Sequence, residues 1–234
     1  MTIAELRDDL ILYLQGSVFA GNTYIVGGAV RDHLLGSKEI WDFDLTVELP
    51  NGGIRLAKHL RGWFLPYSSR MNHTFGTARL DCSEYILDLN GTRKERYTGK
   101  SRYPIISYGS LLDDVYRRDF TINSLLIEVF SGELIDLCGQ GQSDLERGII
   151  GTLREPDIVL TEDPLRVLRA VRFAARFGFR FAQDLEIALK TSAPLVKKLS
   201  RPAQKRELQL MRQDGHAARA RQIMQDLGIL PHLQ

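Results

Sequence analysis

Two short clusters carry the chemistry of this sequence: Tyr24-Ile25-Val26-Gly27-Gly28-Ala29-Val30-Arg31-Asp32 and, a little further on, Asp42-Phe43-Asp44. A short apolar run ends in two glycines, and a helical pattern over Ala29–Leu35 begins at once. In such a strand–turn–helix the backbone N–H groups point at one spot, which favours an anion such as a triphosphate. Asp42 and Asp44 stand at i and i+2, so on a strand they share a face and can hold the same divalent cations. A phosphate cradle beside paired carboxylates predicts phosphoryl or nucleotidyl transfer. A third acid is expected on an adjacent strand, and Asp88 fits, because it faces away from Leu87 and Leu89 along Tyr85–Asn90. Such carboxylates suit Mg²⁺, which activates an attacking 3′-hydroxyl and stabilises a leaving pyrophosphate.

Two further clusters add recognition groups. In Arg117-Arg118-Asp119-Phe120-Thr121-Ile122-Asn123, two arginines, an acid and an amide can clamp a triphosphate and read sugar hydroxyls. In Glu162-Asp163-Pro164-Leu165-Arg166, Asp163 is placed to cap a helix whose first residue is proline. Arg166, Arg169, Arg172 and Arg176 then form one stripe, with Leu165, Leu168 and Phe173 on the packing side. Asp163 and Arg166 lie one turn apart, an acceptor beside a planar donor, which suits the edge of a nucleobase.

The elements that must position these groups follow from periodicity. Strands are expected at Tyr24–Val26, Phe43–Val47, Thr74–Leu80, Tyr85–Asn90 and Leu125–Phe130, with Asp81–Glu84 turning one hairpin. Helices are expected over Met1–Gln15, where Ile3, Leu6, Leu10 and Leu14 form one apolar face, and at Ala29–Leu35, Ile54–Arg61 and Asp114–Thr121. Beyond Leu137 the pattern is helical throughout: Asp144–Ile149, Pro164–Phe177, Gln183–Ser192, Ala203–Gln213 and Ala217–Leu227. The expected architecture is therefore an α/β head with a mixed sheet over residues 1–136 and an all-α second domain over residues 137–234.

Composition bounds the rest. With 44% hydrophobic and 26% charged residues, the chain is that of an ordinary globular protein. The first residues carry Asp8 and Asp9 and do not read as a signal peptide, and no stretch has the length of a membrane span. Cys82 and Cys138 lack metal-ligand spacing and make no disulfide framework, which points to a reducing cytoplasm. Charge is uneven. Residues 165–234 carry 14 Lys/Arg against 5 Asp/Glu, a net +9, whereas residues 1–135 carry 15 against 17. A basic C-terminal third behind a carboxylate-rich front predicts a polyanionic partner held beside a metal site.

The motifs in this order resemble the class II tRNA nucleotidyltransferases and bacterial poly(A) polymerases, branches of the polymerase-β nucleotidyltransferase superfamily. The signatures are Gly-Gly-x-Val-Arg-Asp with a downstream Asp-x-Asp, Arg-Arg-Asp-Phe-Thr-x-Asn, and Glu-Asp-x-x-Arg. They stand here at Gly27–Asp44, Arg117–Asn123 and Glu162–Arg166. The resemblance covers Tyr24 to Phe179. It implies a polymerase-β-like head followed by a helical neck, and Asp42 and Asp44 as metal ligands; Asp88, read from its place on the strand, completes the expected catalytic set. It also implies a nucleotide site of Gly27, Gly28, Arg31, Asp32, Arg118, Asp119, Asn123, Asp163, Arg166, Arg169 and Arg172. In this reading Asp163 and Arg166 act as an amino-acid template that selects CTP or ATP, and the partner is the 3′ end of tRNA. Tyr97–Asp114 resembles the mobile loop that switches such a pocket from C to A, which favours a full CCA enzyme over a CC-adding one; the alternatives are a specialised CC-adding or A-adding enzyme or a poly(A) polymerase of the same family.

Three departures from the pattern stand out. The stretch Asp136–Asp144 carries one extra residue relative to the family's linker, and Pro202-Ala203 replaces the usual Glu-Arg of a later neck helix. Members continue into body and tail domains that grip the tRNA elbow. This sequence ends at Gln234, which predicts head chemistry without full tRNA recognition. Two rival readings make opposite demands. A non-catalytic RNA-binding module would lack Asp42 or Asp44, and both are present. A transferase acting on a small molecule or protein would have no use for the arginine stripe or the +9 third.

Overall fold

The computed structural model describes residues 1–62, 66, 68–99 and 101–234. The described chain forms two compact units, neither of them a single run. The first comprises Met1–Arg96, Ile106–Arg118 and Ile122–Gly141; the second comprises Tyr97–Ile105, Asp119–Thr121 and Gln142–Gln234. Among the described residues no helix is long and apolar enough to cross a membrane.

The first unit opens with α1 (Ile3–Leu14), started by a reciprocal cap in which Glu5 N donates to Thr2 Oγ1 at 3.2 Å and Thr2 N donates to Glu5 Oε2 at 2.7 Å. Its Ile3, Leu6, Leu10 and Leu14 are buried, the face expected from their spacing. There follow β1 (Thr23–Val26), α2 (Gly28–Leu34), β2 (Asp42–Val47), α3 (Gly52–Leu60), β3 (Ser68–Asn72), β4 (Thr77–Asp81), β5 (Ile86–Gly91) and β6 (Arg93–Arg96). Then come β7 (Ile105–Tyr108), α4 (Leu111–Tyr116), a 3₁₀ turn at Thr121–Asn123, β8 (Leu126–Glu128) and β9 (Leu134–Ile135).

Seven strands make one sheet in the order β3-β4-β5-β2-β1-β8-β9. It is mixed: β2 and β5 run parallel, while the β1–β2, β4–β5, β3–β4 and β1–β8 pairs are antiparallel. Phe43, Leu45, Leu87 and Leu89 are fully buried on its packed side. Helix α3 lies close against the sheet because it begins with two glycines. A Cβ at Gly53 would stand 2.4 Å from the Leu89 carbonyl oxygen, so only glycine permits that approach.

Among the places where the structure differs from the local pattern are β3, β4 and α4, and β6, β7 and β9 are strands that no run in the sequence announces. Strand β3, Ser-Ser-Arg-Met-Asn, has no apolar alternation to announce it and exists by pairing with β4. That partner begins at Thr77, later than expected. The expected helix Asp114–Thr121 is α4, started by Ser110 in a reciprocal cap with Asp113 and ended at Tyr116.

The second unit is helical: α5 (Gly141–Arg147), α6 (Pro156–Glu162), α7 (Leu165–Phe177), α8 (Gln183–Ser192), α9 (Arg201–Gln213) and α10 (Ala217–Asp226). Its only described strands are the short parallel pair β10 (Ile149–Ile150) and β11 (Arg180–Phe181). Val167, Leu168, Val171 and Phe173 of α7 are buried, and Phe173 meets Phe120 edge-on at 5.8 Å.

Candidate active site

In the first unit the glycine turn and the paired aspartates come together. Gly27 leaves β1 with φ +71° and donates to the Leu125 carbonyl at 3.3 Å; a side chain there would be strained. It would also be crowded. A Cβ at Gly27 would lie 3.2 Å from Arg118 Nη1 and 3.7 Å from Asp44 Oδ2. One backbone position thus faces a guanidinium and a carboxylate at once. Arg118 donates to Asp114 Oδ2 at 2.9 Å, while its buried Nε has no hydrogen-bond partner among the described residues. The atom that faces the turn is Nη1, a charged donor for an anion such as a phosphate oxygen.

Arg31 lies beneath the turn rather than in it. It is buried, donates from Nε to Asp32 Oδ1 at 2.8 Å and from Nη1 to Asn123 Oδ1. These bonds tie the turn to Asn123. Arg117 is likewise tied internally, to Asp114 at 2.8 Å and to Glu95 at 3.6 Å. Asp114 is fully buried. Burial opposes its ionisation, but Arg117 and Arg118 outweigh burial and hold its carboxyl below the usual range. The one sign of Asp114 in the sequence is its spacing of three and four residues from two arginines.

Asp44 pairs in register with Asp88 across the parallel β2–β5 ladder, and Asp42 lies two residues before it on the same face. Burial pushes the Asp44 carboxyl up to about 6, against the pull of Arg118 and with the repulsion of Asp88 and Asp42. Asp88 is also raised, chiefly by burial, and is engaged by Arg79 Nη1 at 2.7 Å. Among the described residues no three metal-binding side chains converge into a ready cage. The donor set nevertheless fits a hard divalent cation: oxygen ligands only, and a crowded negative charge at Asp44 that a cation would relieve.

In the second unit the Glu162–Arg166 motif is built around ion pairs. Helix α7 starts at Leu165 with Pro164, not Asp163, in the cap position; Asp163 ends α6 and accepts from Leu165 N at 3.1 Å. The same carboxylate meets Arg102 at 3.3 Å. Arg166 is buried and turned back along α6: it donates to the Val159 carbonyl at 3.1 Å and lies 3.6 Å from Glu162 and 3.4 Å from the Tyr97 hydroxyl. Glu162 is itself clamped by Arg154. A cleft of about 690 Å³ opens beside these groups, lined by Tyr97, Ser101, Arg102, Glu162 and Ser200 among others. Lys100, within the segment Tyr97–Asp114, lies outside the described residues. The arginine stripe is not a solvated face. Arg169 pairs with Asp119 at 2.6 Å, and Arg172 is buried against Glu207 at 2.8 Å. Arg102, Tyr97 and Glu207 had no local signal, since each meets its partner from far along the chain.

A mixed sheet that sets a glycine turn and an arginine against paired aspartates, followed by helices, is a polymerase-β-like nucleotidyltransferase head with a helical C-terminal region. The chain belongs to the class II tRNA nucleotidyltransferase and poly(A) polymerase family: residues 23–151 match the family described as the poly(A) polymerase head domain. It is 41% identical over 175 residues to an A-adding tRNA nucleotidyltransferase of Aquifex aeolicus, covering 74% of this chain and 20% of that protein. It is 30% identical over 231 residues to a CC-adding tRNA nucleotidyltransferase of Halalkalibacterium halodurans, covering 99% of this chain and 52% of that protein. A solved tRNA nucleotidyltransferase, in complex with a primer tRNA and an incoming ATP analogue, superimposes with a TM-score of 0.78 at 34% identity. That match covers 91% of this chain and 59% of the other. The chain therefore spans about half or less of the length of these curated relatives.

Proposed function

We propose that this chain catalyses template-independent transfer of CMP and AMP from CTP and ATP to the 3′ end of tRNA, releasing pyrophosphate. The observation that carries the reading is the convergence of the Gly27 backbone, Arg118 and Asp44 within a few ångströms of one point. The turn and Arg118, whose Nη1 faces it, receive the triphosphate. Asp42 and Asp44 would hold Mg²⁺, with Asp88 across the ladder as a third donor. When bound, the metal supplies activation of the 3′-hydroxyl and charge stabilisation of the leaving group. Arg31, Asp32 and Asn123 hold the turn in shape for the nucleotide. In the second unit, Asp163 and Arg166 select the base, with Asp119, Arg169 and Arg172 supporting that helix face. The similar proteins include A-adding, CC-adding and CCA-adding enzymes and a poly(A) polymerase, and both nucleotides are proposed here because the Tyr97–Asp114 segment resembles the loop that changes the pocket from C to A.

The direct test is incubation of the purified protein and Mg²⁺ with tRNA ending before CCA, offering each labelled NTP separately. Ordered incorporation of C and then A supports the reading. Incorporation of A alone onto any RNA would reassign the chain as a poly(A) polymerase, and no incorporation would remove the activity.

Base selection has its own test. Arg166→Ala should relax the choice among the four NTPs by about ten- to a hundredfold, the roughly 1–3 kcal/mol carried by a good bidentate base contact. Glu162 keeps Arg154 in that variant, so no carboxylate is orphaned. Arg31→Ala, beneath the phosphate turn, should weaken all four nucleotides alike and leave their ranking intact. Steady-state incorporation rates separate the outcomes: equal losses for every NTP in Arg166→Ala would make Arg166 a packing or phosphate residue.

A further inference from the structure

A second polar cleft, of about 690 Å³, opens in the first unit on the other side of Asp44 from the glycine turn. Its lining includes Asp44, Arg70, Asn72, Arg79, Asp88 and Asn90. The sheet register explains its composition. Arg70 is paired with Arg79, Arg79 with Asp88, Asp88 with Asp44, and Asp44 with Val26, the residue before the turn. Residues opposite one another on neighbouring strands project to the same face, so one row runs from two arginines through two aspartates towards the anion cradle.

The charges in this row are arranged for a ligand. Asp81 accepts from Arg79 Nε at 3.1 Å and from Arg70 at 3.3 Å, and Arg79 Nη1 reaches Asp88 at 2.7 Å. Both guanidiniums are steered by carboxylates, yet the Arg70 side chain remains 75% exposed. Asn72 spends its side-chain oxygen on the N–H groups of Thr74 and Phe75, which leaves the NH₂ as its outward group. The cleft thus offers planar cationic donors and an amide donor at its β3–β4 end and the carboxylates of Asp44 and Asp88 at the other, and its described lining contains no aromatic ring on which a base could stack. That chemistry selects phosphodiesters over nucleobases.

In-line transfer places the entering hydroxyl opposite the leaving pyrophosphate. The strand order puts β1 and its turn on one side of β2, and β5, β4 and β3 on the other. We propose that this cleft seats the sugar–phosphate backbone of the RNA acceptor at its 3′ end, with Arg70 and Arg79 on the terminal phosphates. The assignment rests on the nucleotidyl-transfer reading above and adds the residues that hold the second substrate.

The test is fluorescence anisotropy of a short labelled single-stranded RNA ending in CC, titrated with the protein over a range of NaCl concentrations. ATP affinity is measured in parallel by equilibrium dialysis. Arg70→Gln should weaken RNA binding several-fold at low salt and lower the slope of log affinity against log salt by about 0.7, the share of one single-strand phosphate contact. ATP affinity should not change. Arg55→Gln, an exposed arginine on α3 outside the cleft, should alter neither. Unchanged RNA affinity and slope in Arg70→Gln, with a wild-type protein that binds and extends RNA, would overturn the cleft assignment alone. Equal weakening of ATP would move Arg70 to the nucleotide and also overturn it. A wild-type protein that neither binds nor extends RNA would remove the transfer reading and this assignment with it.

Discussion

Asp44→Asn should abolish nucleotide incorporation while making the metal-free protein more stable at pH 8. The sign follows from the raised carboxyl. Its folded value of about 6 stands above the ordinary 3.8, so the folded state holds the proton more tightly than the unfolded chain. The stabilising contribution is fully present below about pH 4 and is lost as pH rises through 6. At pH 8 the ionised carboxylate is a burden of about 3 kcal/mol, from 1.36 kcal/mol for each unit. Asparagine carries no charge and removes that burden, which in a protein of this size raises the melting temperature by several degrees. In catalysis the same substitution removes a proposed metal donor, which would be worth several kcal/mol of transition-state stabilisation, a loss of at least about a thousandfold. Asp42→Ala should lose activity comparably but gain less stability, because Asp42 is itself exposed and supplies only a minor part of the repulsion on Asp44. Thermal melts in EDTA at pH 5 and pH 8, beside turnover with Mg²⁺, check both halves. Near-normal turnover in either variant, or a lower melting temperature of Asp44→Asn at pH 8, contradicts the placement of the charge.

Glu207→Ala should destabilise the protein by about 3–5 kcal/mol, because it leaves the buried Arg172 guanidinium without its carboxylate. Arg172 also lies 4.5 Å over the Phe173 ring, which cannot replace a lost ionic partner. Glu207→Gln keeps a hydrogen-bond acceptor and should cost less. Replacing both partners, Arg172→Met with Glu207→Leu, should recover most of the loss, since no charge is then stranded. Urea unfolding of the three variants decides the matter. An unfolding midpoint in Glu207→Ala equal to that of the wild type would show that Arg172 is satisfied elsewhere. A changed nucleotide KM in Glu207→Gln without loss of stability would give the pair a part in binding.

The sequence by itself determined the local machinery. Four apolar positions at helical spacing and a Thr2–Glu5 cap make α1; a β-run ending in two glycines makes the β1 turn. Alternation in Asp42-Phe43-Asp44 and in Leu87-Asp88-Leu89 places acids on one face of two strands, because side-chain direction in a strand depends only on parity. Tertiary structure alone decided the partners. Arg31 finds Asn123 92 positions away, Arg166 finds the Tyr97 hydroxyl 69 positions away, and Arg172 finds Glu207 35 positions away. Only the sheet order and register line up Arg70, Arg79, Asp88 and Asp44, and only pairing makes a strand of Ser68–Asn72. The physical reason is range. Propensity, capping and alternation are set by neighbours within a turn or two, whereas the partner of a charge depends on which surfaces meet when apolar area is buried.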